Sequence, residues 1–300
     1  MLSNDRVHYS QCPVCASKQI NPLFAVKDYS VSKEDFVIWQ CGTCTLRFTQ
    51  DAPTEDSIAP YYKSPDYISH TNAKKGLLNN LYQRVRKYTL EQKAKLLIEQ
   101  TKAANGNLLD VGAGVGAFIN VMQQKGWTAQ GIEPDLDARL IAQQEFGTEL
   151  SDTAVFYNLP AQNFDAITLW HVLEHVHDLH RYVEQLKNLL VPNGKIFIAV
   201  PNYQSADAAI YRLKWAAYDV PRHLYHFSPT SMQALMERHG LNIIAKKPMW
   251  FDSFYISLLS SKYKKGSLSW IGAFISGLRS NTKAAINKDR CSSIIYIISK

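Results

Sequence analysis

From Asn107 onward short apolar runs alternate with helix-patterned segments, and two CxxC pairs stand ahead of them. Together these predict an α/β protein, a doubly wound, mostly parallel seven-stranded sheet preceded by a small zinc ribbon. A third observation, a glycine-rich turn directly after the first apolar run, places a ligand site at the carboxyl edge of that sheet. Three hundred residues, 46% hydrophobic and 20% charged, suffice for one large domain plus a module and exclude a chain disordered over most of its length.

The ribbon comes first. Cys12 and Cys15 read CPVC, Cys41 and Cys44 read CGTC, and 25 residues separate the pairs. Each pair forms a tight turn presenting two thiolates, and four soft ligands at tetrahedral geometry suit Zn²⁺. Disulfides or redox thiols are the alternative, disfavoured in a reducing compartment. With every ligand supplied by protein the metal has no open position, so its expected role is structural. Phe36-Val37-Ile38-Trp39, just before CGTC, is strand material. The expected boundaries are 1–55 for the ribbon, 56–104 for a connector and amphipathic helix, and 105–300 for the sheet domain, with a helical insertion at about 251–290.

From Ala52 to His70 the chain carries Pro53, Pro60 and Pro65 among Tyr61, Tyr62 and Tyr67, a connector rather than a core element. Leu77, Leu81, Val85, Tyr88, Gln92 and Leu96 then recur at helical spacing, predicting an amphipathic helix up to Ala104. Strands are expected at Leu108–Val111, Ala129–Ile132, Asp165–Trp170, Lys195–Val200, from Ile243, and at Ile294–Ile298; the stretch near Ala154–Tyr157 carries no clear pattern. Helices fall at Ala117–Lys125, Leu136–Phe146, Leu179–Leu190 and Ser231–His239, the last preceded by Ser228-Pro229 as a cap and followed by Gly240. The N-terminus has no apolar stretch behind a basic start, and the uncharged run Gly266 to Leu278 falls short of the ~20 residues that cross a bilayer. A cytoplasmic protein without a transmembrane helix is expected.

Leu108 to Phe118 reads LLDVGAGVGAF, a strand, a glycine loop and a helix start. Glu133 follows 21 residues after Gly112 at the end of the second strand, placed to accept ribose hydroxyls. Gly112, Gly114 and Ala117 also satisfy the dinucleotide pattern GxGxxA, so an NAD-dependent sugar-modifying oxidoreductase is a competing reading. Against it, Asp110 sets a carboxylate where pyrophosphate would be repelled, Gly116 follows close behind Gly114, and a ribbon and helix precede the first strand.

These segments, with GIEPD (Gly131–Asp135), FDAITLWHVLEHVHD (Phe164–Asp178), PNGKIFIAVPN (Pro192–Asn202) and HLYHFSP (His223–Pro229), resemble the class I S-adenosylmethionine-dependent methyltransferases. The likeness is to the ubiquinone/sugar-methyltransferase-like branch with an N-terminal zinc ribbon, over roughly residues 10–250. The resemblance implies that the loop from Asp110 through Gly112, Ala113, Gly114 and Gly116 holds the methionine part of S-adenosylmethionine. It also implies that Glu133, with Pro134 beside it, binds the ribose, and that Trp170, His171 and Leu173 lie near the sulfonium. The usual acidic contact to adenine after the third strand has no clean counterpart, with Asp152 and Asn158 as the options.

His171, His175, His177 and His180 with Glu174 read either as a metal cluster or, preferably, as a strand end and helix start on the cofactor side. On the substrate side, the segment from Tyr218 to Ser228 concentrates titratable groups after the fifth strand. A neutral imidazole is a suitable general base for a hydroxyl, which makes His223 the first catalytic candidate, followed by His226 and Asp219. Packing and helix capping are the alternative roles. The expected acceptor is a small molecule or glycan, an oxygen or carbon of a sugar; a non-enzymatic zinc-ribbon binding module is the remaining alternative. Nucleic acid is disfavoured as a partner, because the basic residues lie mostly beyond the core sheet and no aromatic-and-basic RNA motif occurs.

The net charge of +7 is uneven: residues 246–300 hold ten Lys/Arg and two acids, a local +8. Within them Leu268, Ile271, Ile275 and Leu278 share a helical face, with Trp270 and Phe274 beside it. This is either a core-facing or dimer-forming helix, or a basic amphipathic lid docking on an anionic membrane or a lipid-linked glycan at the inner face.

Overall fold

The computed structural model describes residues 5–63, 77–267 and 270–300. Strands β2 (Ile20–Lys27), β3 (Asp35–Cys41) and β4 (Arg47–Thr49) form an antiparallel ribbon behind the cysteine turns, and β1 (Arg6–Val7) pairs with β5 (Ala52–Pro53). Alternation along β3 buries Phe36 and Ile38 and leaves Val37 out, the period-2 pattern of a half-buried strand. The ribbon does not end at its own sequence. β10 (Tyr225–His226) joins it as a fourth strand, pairing Tyr225 with Phe48 and His226 with Arg47.

The main sheet has the order β11-β12-β9-β8-β6-β7. β7 (Thr128–Ile132), β6 (Asn107–Val111), β8 (Phe164–Trp170) and β9 (Leu190–Pro201) run parallel, and β12 (Ser293–Ser299) lies antiparallel between β9 and β11 (Asn242–Pro248). Leu108, Leu109, Asp110 and Val111 are all buried, as in a central parallel strand covered on both faces. On one face α1 (Leu77–Thr101) sets Ala94 and Leu97 against Leu108, Phe118 and Trp127. On the other, α4 (Leu179–Leu189) and α6 (Pro229–Arg238) contribute Val183, Leu186, Met232 and Leu235. The cap predicted for α6 is present as a reciprocal Ser228–Ser231 capping box.

Among the described residues the sheet has six strands, not the seven expected. At Ala154–Tyr157 the chain forms a 3₁₀ helix (Thr153–Asn158), because the Asp152 carboxylate accepts the Ala154 N–H and turns the backbone away. The would-be edge strand is reduced to one bridge, Ile132 to Ser151. Between β11 and β12 lie α7 (Asp252–Lys265) and α8 (Trp270–Ile286), filling the expected insertion. Of the connector, 64–70 lies outside the described residues, as do Leu268 and the side chains of Leu77 and Leu81. Among the described residues no helix is long and apolar enough to cross a membrane.

Candidate active site

At the carboxyl edge of the sheet β6 turns through the glycine loop into α2 (Ala117–Gln124). Gly112 and Gly114 have φ of 72° and 54°, the left-handed region that favours glycine. A Cβ on Gly112 would meet Val172 Cγ2 at 2.4 Å, so this position also permits close packing, whereas Gly114 faces open space. The N–H groups of Gly112 and Ala113 donate to the carbonyl of Ile132 and pin the loop to the end of β7. There the Glu133 carboxylate accepts the Gly114 N–H at 2.7 Å and the Asp135 N–H at 3.0 Å. Pro134 is exposed beside it, and burial raises Glu133 above the ordinary carboxylate range.

Asp110 is buried beneath the loop and accepts a hydrogen bond from Thr168 Oγ1; burial pushes its carboxyl up to about 7. Across from it α1 delivers Lys93, whose ammonium sits 4.2 Å from the centre of the Trp170 ring. Burial lowers Lys93 against the pull of Asp252 and Asp110. The Trp170 indole N–H is buried without a hydrogen-bond partner among the described residues.

His171 follows with φ of 60° and bridges two carboxylates, donating Nδ1–H to Glu174 at 3.2 Å and Nε2–H to Asp252 at 2.8 Å. Burial alone would lower its pKa, but Asp252 and Glu174 outweigh burial and raise it from 6.5 to about 10. The charged bridge fastens the first turn of α7 to the end of β8. Because the folded pKa exceeds the unfolded one, this stabilisation is complete below pH ~6.5 and lost as pH rises through ~10. Melting temperatures measured between those limits should fall in the native chain, and Asp252→Asn should flatten that fall.

Leu173 is buried in the 3₁₀ turn (Leu173–His175), where its side chain joins the hydrophobic core. Glu174 is fully buried, its Oε2 has no hydrogen-bond partner among the described residues, and one of its carboxylate oxygens lies within 4.8 Å of ring nitrogens of His175 and His223. The rings of His175 and His223 meet edge to face at 4.6 Å, and burial, with the neighbouring His223 ring, lowers His175 to about 4. Since a carbonyl only accepts, the 2.9 Å contact to Ala217 O places a proton on His223 Nδ1, so the lone pair of the neutral ring lies on Nε2.

The other two substrate-side candidates are differently engaged. Asp219 accepts from Arg222 through both oxygens, at 3.0 and 2.7 Å, and Arg222 reaches on to Asp28 of the ribbon. Burial would raise Asp219, but Arg222 overcomes this and holds it low, committing it to an ion pair. His226 is buried in β10 against Thr49 Oγ1 at 3.2 Å, and burial keeps it neutral. Both support His223 in this arrangement.

In the ribbon, Sγ of Cys12 and Cys44 lie 3.5 Å apart, those of Cys15 and Cys41 3.6 Å, and all four converge within 4.8 Å. Tetrahedral Zn–S bonds of ~2.3 Å set ligand separations of about 3.8 Å, so the donor set fits structural Zn²⁺. The N–H groups of Val14, Thr43 and Cys44 point at the sulfurs of Cys12 and Cys41 and stabilise thiolate charge.

A family model described as a methyltransferase domain matches residues 82–246. The chain belongs to the methyltransferase-domain family. The ubiquinone biosynthesis O-methyltransferase of Dinoroseobacter shibae is 27% identical over 157 residues, 48% of this chain and 63% of that protein. Its namesake from Paracidovorax citrulli is 33% identical over 161 residues, 48% of this chain and 67% of that protein. The chain therefore matches just under two thirds of the length of the first of these relatives. A solved structure from Galdieria sulphuraria, described as a candidate sarcosine dimethylglycine methyltransferase, shares the fold at a TM-score of 0.50 and 11% identity, over 72% of this chain and 86% of that one. The match to a methyltransferase domain sets aside the dinucleotide-oxidoreductase and non-enzymatic alternatives. The cysteine ribbon lies outside the matched residues.

Three residues of this region carried no motif. Lys93 is one lysine among several on an amphipathic helix, and Thr49 is an ordinary strand residue. Asp252 did leave a trace, as one of only two acids in the basic 246–300 segment.

Proposed function

We propose that this chain transfers the methyl group of S-adenosylmethionine to an oxygen or carbon of a small glycan-type acceptor, free or lipid-linked. The observation that carries the reading is the Glu133 carboxylate beside Gly114, at the carboxyl edge of the parallel strands with open space above the glycine. Membership of the methyltransferase-domain family supports it, and the O-methyltransferase names of the relatives favour oxygen. S-adenosylmethionine supplies an electrophilic methyl carbon on a sulfonium. Glu133 holds the ribose hydroxyls, the Gly112–Gly116 loop lies along the methionine part with Asp110 beneath, and Lys93 offers a cation for its carboxylate. Trp170 and His171 close the floor. His223 Nε2 takes the acceptor proton as the new bond to methyl carbon forms and the carbon–sulfur bond breaks, so S-adenosylhomocysteine leaves neutral at sulfur.

Calorimetry with S-adenosylhomocysteine tests the cofactor half. Glu133→Ala should weaken binding by ~1.5–3 kcal/mol for each hydrogen bond lost to the charged acceptor, at least tenfold. Unchanged affinity would remove Glu133 from the ribose.

A further inference from the structure

Helix α8 is built inside out. The residues it buries are small: Ala273, Gly277, Ser280 and Ala284 pack inward, where Ser280 donates to Asp207 and a Cβ on Gly277 would strike the Phe254 ring at 2.6 Å. Its large apolar side chains point the other way. Trp270, Ile271, Phe274, Ile275 and Leu278 are all exposed, Ile271 to 79%, and Ile286 at the helix end to 86%. At ~100° per residue the exposed apolar set spans an arc of roughly 160°, next to but distinct from the narrower arc of buried small residues, with Arg279 and Lys283 along its far border. The stripe expected from sequence to face either a core or an interface thus faces away from the core, while Phe274 alone also stacks on Phe254.

A helix in water normally reverses this arrangement, since contiguous apolar exposure of this kind marks a surface that something covers. The charge around it selects the occupant. Exposed Arg279, Lys283, Lys288 and Arg290 accompany the apolar arc, within a segment carrying ten Lys/Arg against two acids. A second copy would bring the same basic rim and be repelled, whereas an anionic bilayer offers acyl chains to the apolar arc and phosphates to the cations.

We propose that α8 is an in-plane membrane anchor that seats its exposed Trp270–Leu278 face in the interface of an anionic bilayer, with Arg279 and Lys283 on the headgroups. Docking rests on this helix and is independent of the methyl-transfer reading. It would hold the acceptor-side edge of the protein at a surface where lipid-linked acceptors are concentrated.

The test is sedimentation of the full-length, zinc-loaded chain with vesicles of phosphatidylglycerol and phosphatidylcholine mixed, and of phosphatidylcholine alone, at low and high salt. Partitioning should favour the anionic vesicles and fall with salt. Arg279→Ala with Lys283→Ala should weaken it about 25-fold, near fivefold per cation from ~1 kcal/mol each. Ile271→Asp with Leu278→Asp should abolish it while zinc content, melting temperature and S-adenosylhomocysteine affinity stay native, since both side chains stand outside the packed core. Trp270 emission should shift blue on anionic vesicles, and the shift should vanish in Trp270→Phe. Equal, salt-insensitive partitioning on both vesicle types, no partitioning, or a concentration-dependent dimer dissolved by Ile271→Asp would each overturn the anchor.

Discussion

Replacing Cys41 by serine should release the zinc and disable the acceptor side of the protein, although no cysteine touches the glycine loop. Serine is a hard, protonated oxygen donor that replaces neither the charge nor the softness of a thiolate, and structural zinc sites hold ~10–16 kcal/mol of apparent binding energy that reappears as folding energy. What the metal folds here extends past the ribbon. Cys41 ends β3, β3 pairs with β4, and β4 pairs with β10, which carries His226. Thr49 in β4 donates its hydroxyl to the His223 carbonyl at 2.7 Å and its N–H to the Leu224 carbonyl at 2.9 Å. The ribbon is thus one wall of the loop that presents His223, with the buried Arg222–Asp28 pair as a second tie. Elemental analysis should show zinc lost. Turnover should drop by orders of magnitude, while S-adenosylhomocysteine affinity changes severalfold at most, because the glycine loop and Glu133 belong to the parallel sheet. Equal loss of both would mean that the ribbon supports the whole domain rather than its acceptor side.

The same coupling explains what was legible in the sequence and what was not. Elements of the parallel sheet announce themselves locally: LLDV and KIFIAV are largely apolar runs bounded by turn residues, and each forms a strand, the first near its expected limits and the second starting earlier, at Leu190. The glycine loop was legible for the same reason, since positive φ at Gly112 and Gly114 leaves a residue signature. Ala154–Tyr157 carried no clear pattern because a short apolar run is ambiguous between strand and turn, and one side chain, Asp152, decides it. Long-range placement left no trace at all. That β10 joins the ribbon, that Asp252 crosses from α7 to His171, and that α8 turns its large residues outward all depend on packing between segments far apart in sequence. Periodicity reports that a helix has an apolar face but not which face meets the protein.

His223→Ala should cost the reaction a factor of ~10²–10⁴ in kcat, the usual worth of a positioned general base, with little change in cofactor affinity. The argument rests on tautomer and neighbours. Ala217 O accepts from Nδ1–H, so in the neutral ring the lone pair lies on Nε2, and the buried Glu174 carboxylate, held ionised by His171 despite its burial, stands ready to stabilise the imidazolium that forms. His175 beside it is lowered to about 4 and stays neutral at pH 7, so it does not compete for the proton. His226→Ala should act more mildly and chiefly through packing, because the His226 ring is committed to Thr49 Oγ1 in β10. Added imidazole should restore part of the His223→Ala rate, since the deleted ring leaves a cavity of its own shape, and should leave His226→Ala unimproved. A His223→Ala enzyme with native kcat, or one that loses S-adenosylhomocysteine binding in proportion to turnover, would take the base away from His223 and assign that residue to holding the loop.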